Sequence, residues 1–147
     1  MINVLFVCTG NTCRSPMAEG LFADLIRRWK IEGIRCESAG LAACPGDAPS
    51  ENAVRAAKEM GTDISSHRSR QLSMPLAEVT DLFVCMTPEH EKIIKSAIPD
   101  AKTTVLSGGV SDPYGGDIWA YRKCVDKITD GFQDLVNEIR AMEKEND

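Results

Sequence analysis

The sequence lacks the apolar segments of a membrane protein and the beginning of a secreted one. No apolar run approaches the roughly 20 residues that a helix needs to cross a bilayer. Only a short apolar run follows the first residues of the sequence, and the first basic residue is Arg14. The charged start and the long apolar stretch of a signal peptide are therefore not seen. We therefore expect a cytoplasmic protein that does not bind membranes.

A basic cluster and a cysteine scaffold are also missing. The net charge is −5, so the molecule as a whole repels nucleic acid, and any phosphate group must be held by a local site. Six cysteines at irregular positions in 147 residues are too sparse for a disulfide framework. Because the chain has neither a C-x2-C pair nor neighbouring histidines, zinc is not expected. We expect free thiols, no metal, no cofactor and no nucleic-acid partner.

Short apolar strands alternate with helical patterns along the chain. Strands are predicted at residues 4–7, 34–38, 82–85 and 104–106, and helices are predicted from Pro16, over residues 53–60 and from near Pro88. Such alternation requires right-handed crossovers, and therefore predicts a three-layer α/β/α fold with a four-stranded parallel sheet. Apolar residues recur at steps of three and four from Tyr121 to Met142, which predicts one long C-terminal helix. Residues 1–147 are expected to form a single domain.

The segment from Cys8 to Pro16 joins the first strand to the first helix, where parallel α/β proteins bind ligands. Gly10 and Asn11 tolerate positive φ, so this loop can curl until several N–H groups face one oxyanion. Arg14 adds a planar donor that suits two phosphate oxygens. These positive groups favour the thiolate of Cys8, so the loop is predicted to be both nucleophile and phosphate site. The alternative is that Cys8 is a small core residue at a strand end.

Hydrolysis of a phosphate ester or amide also needs a proton for the leaving group. Asp112 is the best candidate, because its loop follows the last strand and should lie at the same end of the sheet as Cys8. An Asp-Pro pair by itself is more often only a turn. The pairing with the Cys8 loop is what favours a catalytic acid.

These motifs resemble the low-molecular-weight protein tyrosine phosphatase family over nearly the whole chain. The C-x5-R-S signature appears as Cys8 to Ser15, and the Asp-Pro loop as Asp112-Pro113. The resemblance implies a metal-free protein phosphatase in which Cys8 takes the phosphoryl group and Asp112 protonates the leaving atom and then activates water. It also implies that the phosphate is held by the loop residues Thr9, Gly10, Asn11, Thr12, Cys13, Arg14 and Ser15.

The same resemblance implies that Asn11, Ser15, Ser38 and His67 brace the loop through hydrogen bonds. By spacing alone, Ser38 could be only a strand end and His67 only a solvated loop residue. The family likeness further implies a reversible disulfide between Cys8 and Cys13, although Cys13 could equally be a buried filler thiol.

Two positions bear on the substrate, which we expect to be a phosphorylated protein side chain. Thr12 stands where tyrosine phosphatases of the family usually have an aliphatic residue, and the loop resembles that of the protein arginine phosphatase branch. Residues 41–49 contain no aromatic to stack a phenyl ring. Tyr114, however, departs from the Phe that the arginine branch often has. The sequence slightly favours phosphoarginine, with phosphotyrosine as the alternative.

Two rival functions have weaker support. The loop also resembles that of thioredoxin-linked arsenate reductases, but their cysteine relay would need a second thiol where this chain has Lys92. Phosphocarrier subunits of sugar transport systems also place a cysteine after a first strand. Their loop does not end in Arg-Ser-Pro, and they lack the Asp-Pro acid.

Overall fold

The structure is a computed structural model that describes residues 1–146. Its elements, in chain order, are β1 (Ile2–Cys8), α1 (Arg14–Arg28), β2 (Ile34–Gly40), α2 (Glu51–Glu59), α3 (Met74–Glu78), β3 (Leu82–Cys85), α4 (Pro88–Ala97), β4 (Thr103–Val105), a 3₁₀ turn (Leu106–Gly108), α5 (Ile118–Asp130) and α6 (Phe132–Asn146). Among the described residues, no helix is both long and apolar enough to span a membrane.

The four strands form one parallel sheet in the order β2-β1-β3-β4, which confirms the predicted fold class. Val7 pairs with Ala39 of β2 on one side and with Cys85 of β3 on the other. Because β1 is an inner strand, Cys8 ends it at the centre of the sheet edge where ligands bind. The loops that follow β2 and β3 lie on either side of this point.

Helices cover both faces of the sheet, because successive residues of a strand point to opposite sides. Val4 and Phe6 contribute to the larger core, which α1, α2, α5 and α6 complete. Phe22 of α1 lies at the centre of that core, with edge-to-face ring contacts to Phe6 at 5.6 Å and to Phe132 at 5.1 Å. Leu5 and Val7 face the smaller core under α3 and α4. Both cores hold β1, and therefore the start of the Cys8 loop, in place.

The prediction of one long C-terminal helix is wrong, because α5 and α6 are separate helices that meet at Gly131. The Ser107 hydroxyl donates to the Lys127 carbonyl at 2.5 Å, so that carbonyl is engaged from outside the helix. The Gly131 N–H instead donates to the Ile128 carbonyl, one residue closer in sequence. A side chain at position 131 would overlap Ser107, so glycine permits this close approach.

Other elements differ from the prediction at their ends. The predicted strand 34–38 continues to Gly40, and the predicted strand 104–106 lies one residue earlier in the chain. The predicted helix 53–60 starts at Glu51, because Ser50 caps it by accepting the Ala53 N–H. The short α3, capped by Ser73, was not predicted. Five residues are too few to show a helical apolar period.

Candidate active site

The loop from β1 to α1 is curled, and neighbouring segments hold it by donating hydrogen bonds to its carbonyl groups. The carbonyls of Cys8 and Thr9 accept the N–H groups of Leu41 and Ala42, both at 2.9 Å. The Thr12 carbonyl accepts from Ser50 at 3.0 Å. Asn11 takes the left-handed conformation, with φ of 58°, whereas Gly10 does not. A loop that turns its carbonyls outward in this way presents its N–H groups to the inside.

Cys8 lies at the base of this loop with 2% of its surface exposed. The backbone N–H of Asn11 points at its Sγ at 3.3 Å, and Ser15 Oγ lies 2.8 Å from the same sulfur. Donors aimed at sulfur favour the charged form of a thiol over the neutral one. The arrangement can therefore support a thiolate nucleophile.

Arg14 and Asp112 lie together on one side of the site, next to the loop that follows the 3₁₀ turn. Arg14 is buried, and its Nη1 donates to the Val110 carbonyl at 3.0 Å. Its Nη2 lies 3.6 Å from Asp112 Oδ2, so the predicted acid does lie at the Cys8 end of the sheet. Asp112 is half exposed, and its Oδ1 accepts the N–H of Tyr114 at 3.0 Å. A carboxyl group at the rim can reach both a leaving group and water.

The structure brings the predicted bracing residues Ser15, Ser38 and His67 together around Asn11, the fourth of the set. Asn11 Nδ2 donates to Ser15 Oγ at 2.8 Å and to Ser38 Oγ at 3.0 Å. Its backbone carbonyl lies 2.9 Å from His67 Nε2, which must carry a proton in order to donate. Its Oδ1 accepts the N–H of Arg70 at 2.9 Å. Each bond restrains the loop at its one left-handed, non-glycine residue.

Glu19 of α1 completes this network, and the sequence analysis missed it. Ser38 Oγ donates to Glu19 Oε1 at 2.5 Å, so the Ser38 oxygen is left to accept from Asn11. Asn11 likewise donates to Ser15, and this leaves the one Ser15 hydroxyl proton free for the Cys8 sulfur. Glu19 and the Arg70 N–H, which donates to Asn11 Oδ1, both fit the direction of this chain of bonds, which ends in a donor to Cys8. A signal was available, because Glu19 stands one turn after Ser15 on a mostly apolar helix face.

The Cys13 sulfur contacts the start of α2 and the helix α5. Its Sγ lies 3.4 Å from both Ser50 Oγ and Tyr121 Oη. Burial, followed by the contact with Cys13, raises the pKa of Tyr121 to about 12. Cys8 and Cys13 are both free thiols in the structure.

Three further thiols lie outside the phosphate-binding loop and have raised pKa values. Burial raises the pKa of Cys36, Cys85 and Cys124 to about 12 in each case, with acidic neighbours adding to the shift for the first two. These thiols stay protonated at neutral pH, as suits residues that only pack in the core.

The loop, Asp112 and Tyr114 together line a cavity of about 230 Å³. Every residue from Cys8 to Arg14 lines the cavity, so a ligand in it would contact both the Cys8 sulfur and the Arg14 guanidinium. Within residues 1–146, no group of three or more His, Cys, Asp or Glu side chains is placed to hold a metal ion.

The sequence and the fold match a known class of phosphatase. The family described as "Low molecular weight phosphotyrosine protein phosphatase" matches residues 3–145, and the chain belongs to this family of protein phosphatases. This confirms the resemblance seen in the sequence.

Relatives in the family carry two kinds of name. The "Protein-arginine-phosphatase" of Bacillus subtilis (strain 168) is 34% identical, with 95% of this chain and 97% of the relative aligned. The "Low molecular weight protein-tyrosine-phosphatase Wzb" of Escherichia coli (strain K12) is also 34% identical, over 76% of this chain and 78% of the relative. A solved structure, "YwlE arginine phosphatase from Geobacillus stearothermophilus", superposes with a TM-score of 0.87 at 33% identity, covering 100% of this chain and 98% of the other.

Proposed function

We propose that the protein hydrolyses phosphorylated side chains of other proteins through a phosphocysteine on Cys8, and that phosphoarginine is favoured over phosphotyrosine. The observation that carries the proposal is the pair of donors, Asn11 N–H and Ser15 Oγ, that meet the Cys8 sulfur inside the loop that Arg14 closes. A buried sulfur with charge-stabilising donors beside an anion site is suited to phosphoryl transfer.

In the first step, the Cys8 thiolate attacks phosphorus. The S–P bond forms as the P–N or P–O bond to the substrate side chain breaks, and Asp112 gives its proton to the leaving nitrogen or oxygen. The N–H groups of residues 9–15 and the Arg14 guanidinium hold the phosphoryl oxygens. The contact of Arg14 with the Val110 carbonyl fixes the guanidinium before substrate arrives.

In the second step, water cleaves the phosphocysteine. Asp112, now a carboxylate, accepts a proton from water while the water oxygen bonds to phosphorus. The S–P bond breaks, and inorganic phosphate and the Cys8 thiolate are released. Asn11, Ser38 and His67 act by holding the loop, and Ser15 acts by donating to the departing sulfur.

One cavity residue, Thr12, supports phosphoarginine as the substrate. Thr12 and Tyr114 both line the cavity around Cys8, so both are placed to contact the side chain that carries the phosphoryl group. The Thr12 hydroxyl can hydrogen-bond a guanidinium or an ordered water, whereas an aliphatic side chain would favour a phenyl ring. Relatives named protein-arginine-phosphatase align over almost their full length.

Phosphotyrosine remains the second candidate because of Tyr114. This ring is 78% exposed at the cavity rim, where it could stack on a substrate phenyl ring. Several relatives are named protein-tyrosine-phosphatases. In either case, one phosphatase domain acts on phosphorylated proteins, and a reducing compartment such as the cytoplasm keeps the Cys8 sulfur out of disulfides.

The substrate assignment is tested by comparing kcat/KM for phosphoarginine and phosphotyrosine peptides of the same flanking sequence. Native protein should prefer phosphoarginine, and Thr12→Ile should lower kcat/KM for that peptide by about 10–100-fold relative to phosphotyrosine. Thr12→Ser is the matched control, because it keeps the hydroxyl and should keep the preference. If native protein prefers phosphotyrosine and Thr12→Ile changes nothing, the arginine assignment is wrong.

A further inference from the structure

His90 is a buried histidine outside the predicted site, and it contacts the phosphate-binding loop. It lies in the first turn of α4, just beyond the end of β3, with 5% of its surface exposed. Its Nε2 is 3.0 Å from Thr9 Oγ1, and its Nδ1 is 3.0 Å from Thr87 Oγ1. Thr87 caps α4 by accepting the His90 N–H, so both the backbone and the ring of His90 are held.

Thr9 directly follows Cys8 and is held from two sides. Its carbonyl accepts from Ala42, in the segment after β2, and its hydroxyl meets His90, in the segment after β3. Because β2 and β3 flank β1, these two contacts fix the chain where it leaves the sheet. The next residues, Gly10 and Asn11, contribute N–H groups to the inside of the loop. A shift of Thr9 would therefore move both Cys8 and those N–H groups.

We propose that His90 is a positioning residue that anchors the start of the phosphate-binding loop to α4 through Thr9. The inference deepens the proposed phosphatase function and rests on it. His90 does not line the cavity and is not expected to touch the substrate. Its contribution is to hold the oxyanion-binding N–H groups in place before phosphate arrives. Donors that are already in position need no reorganisation during the reaction.

The charges around the ring favour the neutral form that bridges two hydroxyl groups. Burial, and then the positive charge of Arg14, lowers the pKa of His90, while Glu89 and Asp112 act in the opposite direction. A neutral imidazole donates from one ring nitrogen and accepts at the other, and a threonine hydroxyl can take either role. The ring can thus connect Thr87 to Thr9 without adding a second cation beside Arg14.

The test measures inhibition by inorganic phosphate and kcat/KM for para-nitrophenyl phosphate. His90→Ala should raise the inhibition constant of phosphate about tenfold, the effect of one lost hydrogen bond, and should lower kcat/KM by at least that factor. His90→Gln can still hydrogen-bond Thr9, and should restore both values to within about threefold of native. Thr9→Val combined with His90→Ala should be no worse than His90→Ala alone, because both changes remove the same contact.

Controls separate positioning from simple stability. Lys92→Ala, at an exposed position of the same helix, should leave both constants unchanged. If His90→Ala lowers the melting temperature but leaves phosphate inhibition unchanged, His90 is only a packing residue and the inference is overturned. If the effects of Thr9→Val and His90→Ala simply add, the contact does not carry the effect. Failure of native protein to hydrolyse the substrate, with phosphate binding intact by calorimetry, would instead overturn the proposed function.

Discussion

The two loops that form the cavity are built in opposite ways. In the loop after β1 and the first turn of α1, Thr9 is exposed, but Asn11, Arg14 and Ser15 are at most 5% exposed and their side chains are all hydrogen-bonded. In the loop that carries the acid, the Asp112 side chain is 53% exposed and Tyr114 is 78% exposed. Pro113 is the one buried residue between Ser111 and Asp117.

This difference matches the different tasks proposed for the two loops. A group that stabilises charge in the transition state works best when it is fixed in advance, and this requires a buried and fully bonded loop. An acid that serves leaving groups of different size must instead reach a variable position, which suits an exposed loop with few contacts. Changes in the first loop should therefore affect all substrates and stability, and changes in the second should depend on the leaving group.

The largest effect should come from Cys8→Ser in the buried loop. A hydroxyl is a far weaker nucleophile than a thiolate, so turnover should fall by roughly four orders of magnitude or more. Phosphate binding, measured by calorimetry, should persist because Arg14 and the N–H groups remain. Cys44→Ser is the matched control, because Cys44 is exposed and distant in sequence, and it should keep full activity. Full activity of Cys8→Ser would show that the buried loop is not the reacting one.

The second effect concerns Asp112 in the exposed loop. Asp112→Asn should lower kcat about 10²–10³-fold for a phosphotyrosine peptide, whose leaving group needs a proton, and much less for para-nitrophenyl phosphate. Asp117→Asn is the control in the same loop, because asparagine can still cap α5 by accepting the Ala120 N–H. An equal loss on both substrates would mean that Asp112 holds Arg14 instead of supplying a proton.

A third change measures how strongly the buried loop is braced. Asn11→Ala removes three side-chain hydrogen bonds and keeps a Cβ at positive φ, so the free energy of unfolding should fall by about 2–4 kcal/mol in urea titrations. Asn11→Gly loses the same hydrogen bonds but has no backbone strain at positive φ. Its free energy of unfolding should therefore be about 1 kcal/mol higher than that of Asn11→Ala. If Asn11→Ala is as stable as native protein, the loop is not held by this network.

The smallest expected effect is a pH dependence of the stability of the protein, which comes from His90 where it contacts the loop after β1. Because the pKa of His90 is lowered in the folded state, the unfolded chain binds more protons below about pH 6.5, the unperturbed value. Stability should therefore fall as pH drops from about 6.5 toward the folded value, with less than about one proton taken up per molecule on unfolding. His90→Gln should show a shallower loss over this window in urea titrations at each pH. Parallel curves for the two proteins would indicate that His90 is not buried as a neutral ring.

Much of the site could be predicted from sequence because its main parts are contiguous. Cys8, Arg14 and the residues between them lie in one loop, and their pattern between a buried strand and a helix is visible without tertiary information. Asp112 could be placed because all parallel strands end at the same edge of the sheet. Tyr121 and His90 could not be placed, because each contacts the loop through packing of a helix whose rotation no local pattern reveals.

The sequence by itself determined the alternation of strands and helices, the end of the sheet that carries the Cys8 loop, and the residues that we propose bind phosphate. These follow from periodicity and from the direction of parallel strands, which are local or topological properties. The tertiary structure alone decided that α5 and α6 are separate at Gly131 and that Cys13 faces Tyr121. It alone also placed His90 beneath Thr9. Such contacts join residues 20 to 108 positions apart, so they depend on how whole layers pack.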